Sequence, residues 1–143
     1  MKRFVIIFIS LIVGYALYWC ISDYYYKKGR ERCIVGKYKL DIHRTNLGIY
    51  KKKVEKYKGL ILTFNADKTF SLNISVPFMA DTVGTWKVGG MDEWNEIVYH
   101  NGIIDQLGEF DDGDTIIYIN SPTPQKTYKK PTLIDKVFFV RIK

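Results

Sequence analysis

The side chains that could carry out chemistry in this chain are few and lie far apart in the sequence. The two histidines, His43 and His100, stand neither in an HExxH spacing nor beside a pair of cysteines, so the sequence predicts no metal site. The chain also contains no G-x-S-x-G nucleophile motif, phosphate-binding glycine loop or dinucleotide fingerprint. We therefore predict no catalytic residue, no metal ligand and no cofactor.

One acidic cluster stands out, formed by Glu109, Asp111, Asp112 and Asp114. Calcium loops of the EF-hand type need regularly spaced ligands and a terminal glutamate, and this run lacks that order. Aspartate and glycine in close succession are also typical of a hairpin turn, which is the interpretation we favour.

Three further carboxylates, Asp81, Glu96 and Asp105, lie on or beside predicted strands. A carboxylate pair that performs acid–base catalysis needs a separation of about 5–10 Å and a cleft. No histidine is placed to activate a nucleophile. We expect a protein that is not an enzyme.

Aromatic side chains are the remaining candidates for a functional site. If they face the inside of a barrel, they could bind a small apolar molecule, or they could simply fill the core, which is the more common outcome in a small barrel. The predicted ligand-binding residues are Tyr38, Phe70, Trp86, Trp94, Tyr99 and Phe138.

The elements that would position these aromatics are short strands. From residue 34 onward, apolar and polar residues alternate with a period of two, which predicts half-buried strands. Tyr38 and Leu40 share one face of the first strand, and Phe138, Val140 and Ile142 alternate in the last. One helix is predicted between Thr45 or Asn46, as its cap, and Gly59.

About eight strands are expected, and the turns between them are too short for parallel crossovers. This pattern predicts a mainly β fold, a small antiparallel up-and-down β-barrel that occupies residues 34–143. A two-sheet sandwich is the alternative.

The N-terminal stretch from Phe4 to Ile21 contains no charged residue and no proline. Eighteen helical residues rise about 27 Å, close to the thickness of the bilayer hydrocarbon core, so residues 1–22 are predicted to be a transmembrane signal anchor. Tyr18 and Trp19 fit the headgroup level. Two alternatives are disfavoured. A cleaved signal peptide needs a cleavage site of small residues, which is missing after the apolar core, and a lipoprotein acylated on Cys20 needs small residues before that cysteine, where this chain has Trp19.

Residues 23–33 form a basic juxtamembrane stalk. Of the net charge of +7, residues 1–32 carry +4, so the folded part lacks the concentrated basic face of a nucleic-acid-binding protein, and we expect no nucleic acid partner. The stalk can lie against anionic headgroups. Basic residues flank both ends of the span and leave its orientation open under the positive-inside rule. Cys20 and Cys33 define no disulfide framework.

Three segments resemble the lipocalin family, in particular small bacterial lipocalin-like proteins. Gly36-x-Tyr38 is similar to the G-x-W motif that opens such barrels, with tyrosine in place of tryptophan. Residues 62–70, LTFNADKTF, resemble the hairpin "LTFnaDgTF", and residues 84–86 resemble the G-T-W strand that follows it. The resemblance implies a lipocalin-like barrel at the cell envelope with an apolar ligand inside.

Together these observations predict a single-pass protein of a bacterial inner membrane with its barrel exported, an orientation that rests on the resemblance. We expect a non-catalytic domain that binds a small apolar or amphipathic molecule. The alternative is a protein-interaction or envelope-structural barrel with a filled core and an envelope protein as partner.

Overall fold

A computed structural model of the protein describes residues 2–47, 54–90, 93–109, 116–120 and 136–142. Its first element is a single long helix, α1, which spans Lys2–Ile34. The helix is long and apolar enough to cross a membrane, and a signal sequence would satisfy the same criteria of length and composition. Because α1 continues without a break through residues 23–33, the predicted stalk is part of this helix.

Eight strands follow the helix, and every neighbouring pair is antiparallel. They are β1 (Gly36–Leu40), β2 (Ile61–Phe64), β3 (Thr69–Leu72), β4 (Val83–Lys87), β5 (Asn95–Tyr99), β6 (Ile104–Glu109), β7 (Ile116–Asn120) and β8 (Lys136–Arg141). A short helix, α2 (Val54–Tyr57), lies between β1 and β2.

The sheet closes on itself, with the strands in sequence order around the barrel. Closure is made by β8, which pairs with β1 so that Leu40 lies opposite Phe139 and Tyr38 opposite Arg141. The predicted up-and-down barrel is thus confirmed, and the sandwich alternative is wrong, because a sandwich would leave β1 and β8 unpaired with each other.

Alternation along the strands decides which side chains enter the barrel. In β1 the buried residues are Tyr38 and Leu40, and in β2 they are Leu62 and Phe64. The residues between them lie on the outer wall, in contact with solvent. Since successive side chains of a strand point to opposite faces, this is the outcome that the period of two predicts.

In the last strand, Phe138 does not face the interior of the barrel. Val137 and Phe139 are the fully buried residues of β8, whereas Phe138 and Val140 lie on the outer wall and are partly exposed. Residues 137–140 are all apolar, so alternation alone cannot select a face. The pairing of Phe139 with the inward-facing Leu40 fixes the register.

The β2–β3 hairpin turns at residues 65–68, as expected. Its left-handed residue is Lys68, with φ of 69°, and not the asparagine or aspartate of the turn. The Asp67 carboxylate accepts hydrogen bonds from the Thr69 hydroxyl and backbone N–H. These bonds lower the pKa of Asp67 and hold the turn in place.

The end of the barrel farther from α1 is covered by apolar side chains from the connections. Leu47, Tyr57, Val76, Phe78 and Met79 are all buried there, and the rings of Tyr57 and Phe78 meet edge to face at 5.3 Å. The predicted helix before Gly59 is present in the described residues only as α2.

Thr45 contacts β8. Its hydroxyl accepts a hydrogen bond from the backbone N–H of Phe138 at 3.0 Å, which ties the β1–α2 connection to β8. Residues 48–53, where the rest of that predicted helix falls, lie outside the described residues.

Candidate functional site

A chain of aromatic rings lies along the inside of the barrel. Tyr38 meets Phe64 at 6.0 Å between ring centroids, Phe64 meets Phe70 at 6.2 Å, and Phe70 meets Tyr99 at 5.6 Å. Trp86 branches from Phe64 at 5.7 Å. Each of the five side chains is at most 2% exposed. The spacings are those of favourable aromatic pairs, so these rings serve each other as packing partners.

The structure brings four of the six predicted ligand-binding residues into this interior. Tyr38, Phe70, Trp86 and Tyr99 belong to the aromatic chain. Trp94 does not, because it precedes β5 and is 60% exposed. Phe138 lies on the outer wall of β8, where its ring packs against Tyr118 at 5.7 Å.

Trp86 closes the end of the barrel nearer α1. Its indole N–H donates to the carbonyls of Asn65 and Thr69, at 3.2 and 3.1 Å. The Lys68 ammonium lies 4.5 Å from the ring centroid, within the range of a cation–π contact. The polar atom of this buried indole is therefore satisfied by the β2–β3 turn, which leaves its ring free to face the core.

The same end of the barrel caps the C-terminus of α1. The Tyr38 hydroxyl lies 3.1 and 2.9 Å from the carbonyls of Cys33 and Ile34 and can donate to either. The Arg141 guanidinium donates to the carbonyls of Cys33 and Val35 and lies 5.4 Å from the centroid of the Tyr38 ring. The last carbonyls of a helix lack partners within it and carry partial negative charge, so a cationic donor suits them.

This junction also explains the glycine of the Gly36-x-Tyr38 motif. A Cβ at Gly36 would lie 3.0 Å from two nitrogen atoms of the Arg141 guanidinium. The absence of a side chain lets the guanidinium lie over the start of β1. The sequence did not reveal the role of Arg141. The one indication of that role in the sequence was the position of Arg141 at the end of the strand that closes the barrel.

Two further contacts hold the barrel against the side of α1. Lys68 forms an ion pair with Glu31. A Cβ at Gly90 would come within 2.9 Å of the Asp23 carboxylate, which is itself paired with Lys27 at 3.0 Å. The β4–β5 connection therefore lies directly against the helix turn that begins two residues after Ile21.

A second interior feature is polar. Asp105 is 4% exposed at an inward-facing position of β6, opposite Ile97. Burial raises the pKa of the nearby Tyr99 phenol, and the Asp105 carboxyl raises it further by its charge and by a hydrogen bond. Tyr99 also donates to the Met79 sulfur at 3.7 Å. The sequence could have indicated that Asp105 faces inward, because it lies two residues before Leu107 on the same strand and therefore on the same face.

A groove of about 320 Å³ lies on the outer wall, at the end of the barrel farther from α1. Its apolar part includes Ile42 and Val140, and its polar part includes Lys39, Asp41, His43 and Lys58. The Asp41 side chain in the groove accepts hydrogen bonds from the backbone of His43 and Arg44. Apolar surface bordered by the ammonium groups of Lys39 and Lys58 suits an amphipathic anion.

Within the described ranges, no three His, Cys, Asp or Glu side chains cluster to hold a metal ion. Asp111, Asp112 and Asp114 of the acidic cluster lie outside those ranges. Among the described residues, the buried polar or charged side chains are Thr45 and Asp105.

Comparison of the chain with protein-family models, with curated proteins and with solved structures gives no match. What is established is the architecture, an eight-stranded antiparallel closed barrel behind a long apolar helix.

Proposed function

We propose that the protein is a non-catalytic, membrane-anchored interaction module that works through the outer surface of its barrel. The observation that carries this proposal is the packing of the aromatic chain. The four interior side chains predicted to bind a ligand pack in aromatic pairs, Phe70 against Tyr99 and both Tyr38 and Trp86 against Phe64. A barrel of this size is readily filled by its own side chains.

Anchoring is supported by α1. Its apolar residues Phe4 to Ile21 are exposed to solvent on all sides of the helix, which is costly in water and favourable in a bilayer. We place the protein in a bacterial inner membrane with the barrel exported. Lys56 and Lys58 are exposed at the far end of the barrel, so trypsin should cleave there in spheroplasts. Cleavage only after lysis would contradict the exported orientation.

The surface we assign to a protein partner is an apolar patch on the outer wall of β4, β5 and β6. Val98 lies opposite Ile104 in the β5–β6 ladder, and Val83 lies on the outer side of the neighbouring β4. Val83 is 45% and Ile104 is 56% exposed. Contiguous exposed apolar patches mark sites of protein–protein interaction, and this one extends over three neighbouring strands.

Site-specific photocrosslinking in intact cells tests this surface. A crosslinker at Ile104 or Val83 should give an adduct of one defined mass, while one at the exposed Lys37 on the outer side of β1 should not. Ile104→Glu should abolish the adduct formed from position 83. Equal adducts at all three positions, or none at any, would contradict the assignment.

A lipocalin-like role, in which the protein binds a small amphipathic molecule, is the second candidate. It is favoured by the outer groove near Lys39, His43 and Lys58, whose volume of about 320 Å³ is within the range of small-molecule sites.

Mass spectrometry of molecules extracted from the purified full-length protein distinguishes the two functions. The interaction module predicts no stoichiometric ligand in the barrel or in its outer groove. A ligand that is lost in Lys58→Glu would establish binding at the groove. One that is retained in Lys58→Glu would show that the outer groove is not its site.

A further inference from the structure

Beyond the apolar stretch, α1 has two faces with different surroundings. One face carries Asp23, Lys27, Glu31 and Ile34, which are buried or half-buried against the end of the barrel. The opposite face carries residues 25, 28, 29 and 32, all exposed. The spacing of three, one and three residues places this second set on a single stripe of the helix.

The exposed stripe contains a groove of about 200 Å³ lined by Tyr25, Lys28, Gly29 and Arg32. A Cβ at Gly29 would meet no atom within 4 Å, so the glycine leaves open space between the two cations. The Lys28 ammonium lies 3.4 Å from the hydroxyl of Tyr24. In the described part of the chain, neither Lys28 nor Arg32 has a carboxylate partner.

Given that α1 spans a membrane as proposed above, the groove begins in the headgroup layer and extends outward to Arg32, about 16 Å beyond Ile21 along the helix. Tyr25 lies about 6 Å and Lys28 about 10 Å beyond Ile21 along the helix axis. The polar layer on each side of a bilayer is about 5–8 Å thick. Helical side chains point back toward the N-terminus, so Lys28 and Arg32 extend toward the bilayer and not away from it.

We infer that the groove formed by Tyr25, Lys28, Gly29 and Arg32 binds the phosphate of an anionic phospholipid in the same membrane. An ammonium and a guanidinium one turn apart donate to a single phosphate, and the phenol of Tyr25 lies at the depth that tyrosine favours. The barrel contributes by holding the other face of α1, which keeps these cations directed toward lipid.

The test is native mass spectrometry of the full-length protein in detergent, with phosphatidylglycerol and phosphatidylcholine supplied together. A basic residue near an anionic lipid surface contributes about five-fold in binding. The wild-type protein should therefore prefer phosphatidylglycerol by about 25-fold. Lys28→Gln and Arg32→Gln should each lower that preference about five-fold. Lys56→Gln, which removes the same charge from exposed α2, should leave it unchanged.

Gly29→Leu separates a formed site from diffuse attraction, because it fills the groove and leaves the charge intact. The inference requires this variant to lose most of the preference. Full preference in Gly29→Leu, or an equal loss in Lys56→Gln, would overturn it. Displacement of the lipid by millimolar inorganic phosphate would likewise overturn a lipid assignment.

Alkaline carbonate extraction of membranes keeps this inference distinct from the anchor itself. All variants should remain in the membrane fraction. Release of the wild-type protein would refute the anchor, whereas retention without lipid preference would refute only the groove.

Discussion

The aromatic chain inside the barrel makes a sharp prediction for Phe64→Ala. Phe64 is 1% exposed and contacts the rings of Tyr38, Phe70 and Trp86. Truncation of a buried phenylalanine typically costs about 3–5 kcal/mol of the free energy of unfolding. Aromatic pairs contribute about 0.5–1.5 kcal/mol each beyond their buried area. With three such pairs lost, we expect a cost near the upper end of that range.

The assay is urea unfolding of the full-length protein in mild detergent, followed by tryptophan fluorescence with and without benzene. Apolar cavities left by such truncations stay dry and bind benzene. Ligand at about 100 times its dissociation constant should restore about 2.7 kcal/mol. Phe138→Ala, at a half-buried aromatic on the outer wall, is the matched control and should gain nothing from benzene. Phe64→Leu serves if the alanine variant does not fold.

The result that would refute the reasoning is stabilisation of the wild-type protein by benzene to the same extent as Phe64→Ala. That outcome would mean that the barrel already contains an accessible apolar cavity, as the ligand-binding function requires.

Three other substitutions test the fold. Gly84→Ala should destabilise the barrel by about 1–3 kcal/mol or more, because the new Cβ would lie 2.2 Å from the carbonyl oxygen of residue 98. Gly59→Ala is the control and should be tolerated, because its Cβ would meet no atom within 4 Å. Equal urea midpoints for the two variants would refute the close approach of β4 and β5. Arg141→Met should lower the free energy of unfolding by about 1.5–3 kcal/mol and increase proteolysis between α1 and β1, because the guanidinium hydrogen bonds to the end of α1 are lost. An unchanged cleavage rate would contradict that role of Arg141. The pKa of Tyr99 is raised in the folded protein, so its contribution to stability is complete below its ordinary pKa of about 10 and decreases as the pH rises above that value. Tyr99→Phe should remove this part of the alkaline loss in urea melts between pH 9 and 11, and an identical pH dependence in both proteins would show that the phenol is not buried.

The closed barrel was predictable because the alternation of apolar and polar residues repeats at most of its strands. Leu62, Phe64 and Phe70 alternate with polar residues around a short turn, and such a pattern permits one inward face only. In β8 the residues Val137 to Val140 are all apolar, so either face of the strand is apolar enough to point into the barrel. Only the partner strand decides between them, and pairing across more than 90 residues is not encoded locally.

Part of the candidate site was predictable from the alternation of apolar and polar residues along the strands. Tyr38, Phe70, Trp86 and Tyr99 were found inside the barrel because each occupies an inward parity. Trp94 was assigned by residue type, yet it lies just before β5 begins, where alternation no longer applies. Arg141 was missed because its role depends on the carbonyls at the end of α1, which come together with β8 only when the barrel closes.

Helix α1 is unbroken, and hydrogen bonds from Tyr38 and Arg141 hold its C-terminal end against the barrel. With no flexible linker between the apolar segment and β1, the barrel must follow any change in the inclination of the helix. Membrane helices adjust their tilt to bilayer thickness. Over a lever of about 40 Å, estimated from helix rise and strand length, a 10° change displaces the far end of the barrel by about 7 Å. For the membrane-spanning α1 proposed above, the height and position of the outer wall would thus depend on the thickness of the lipid layer.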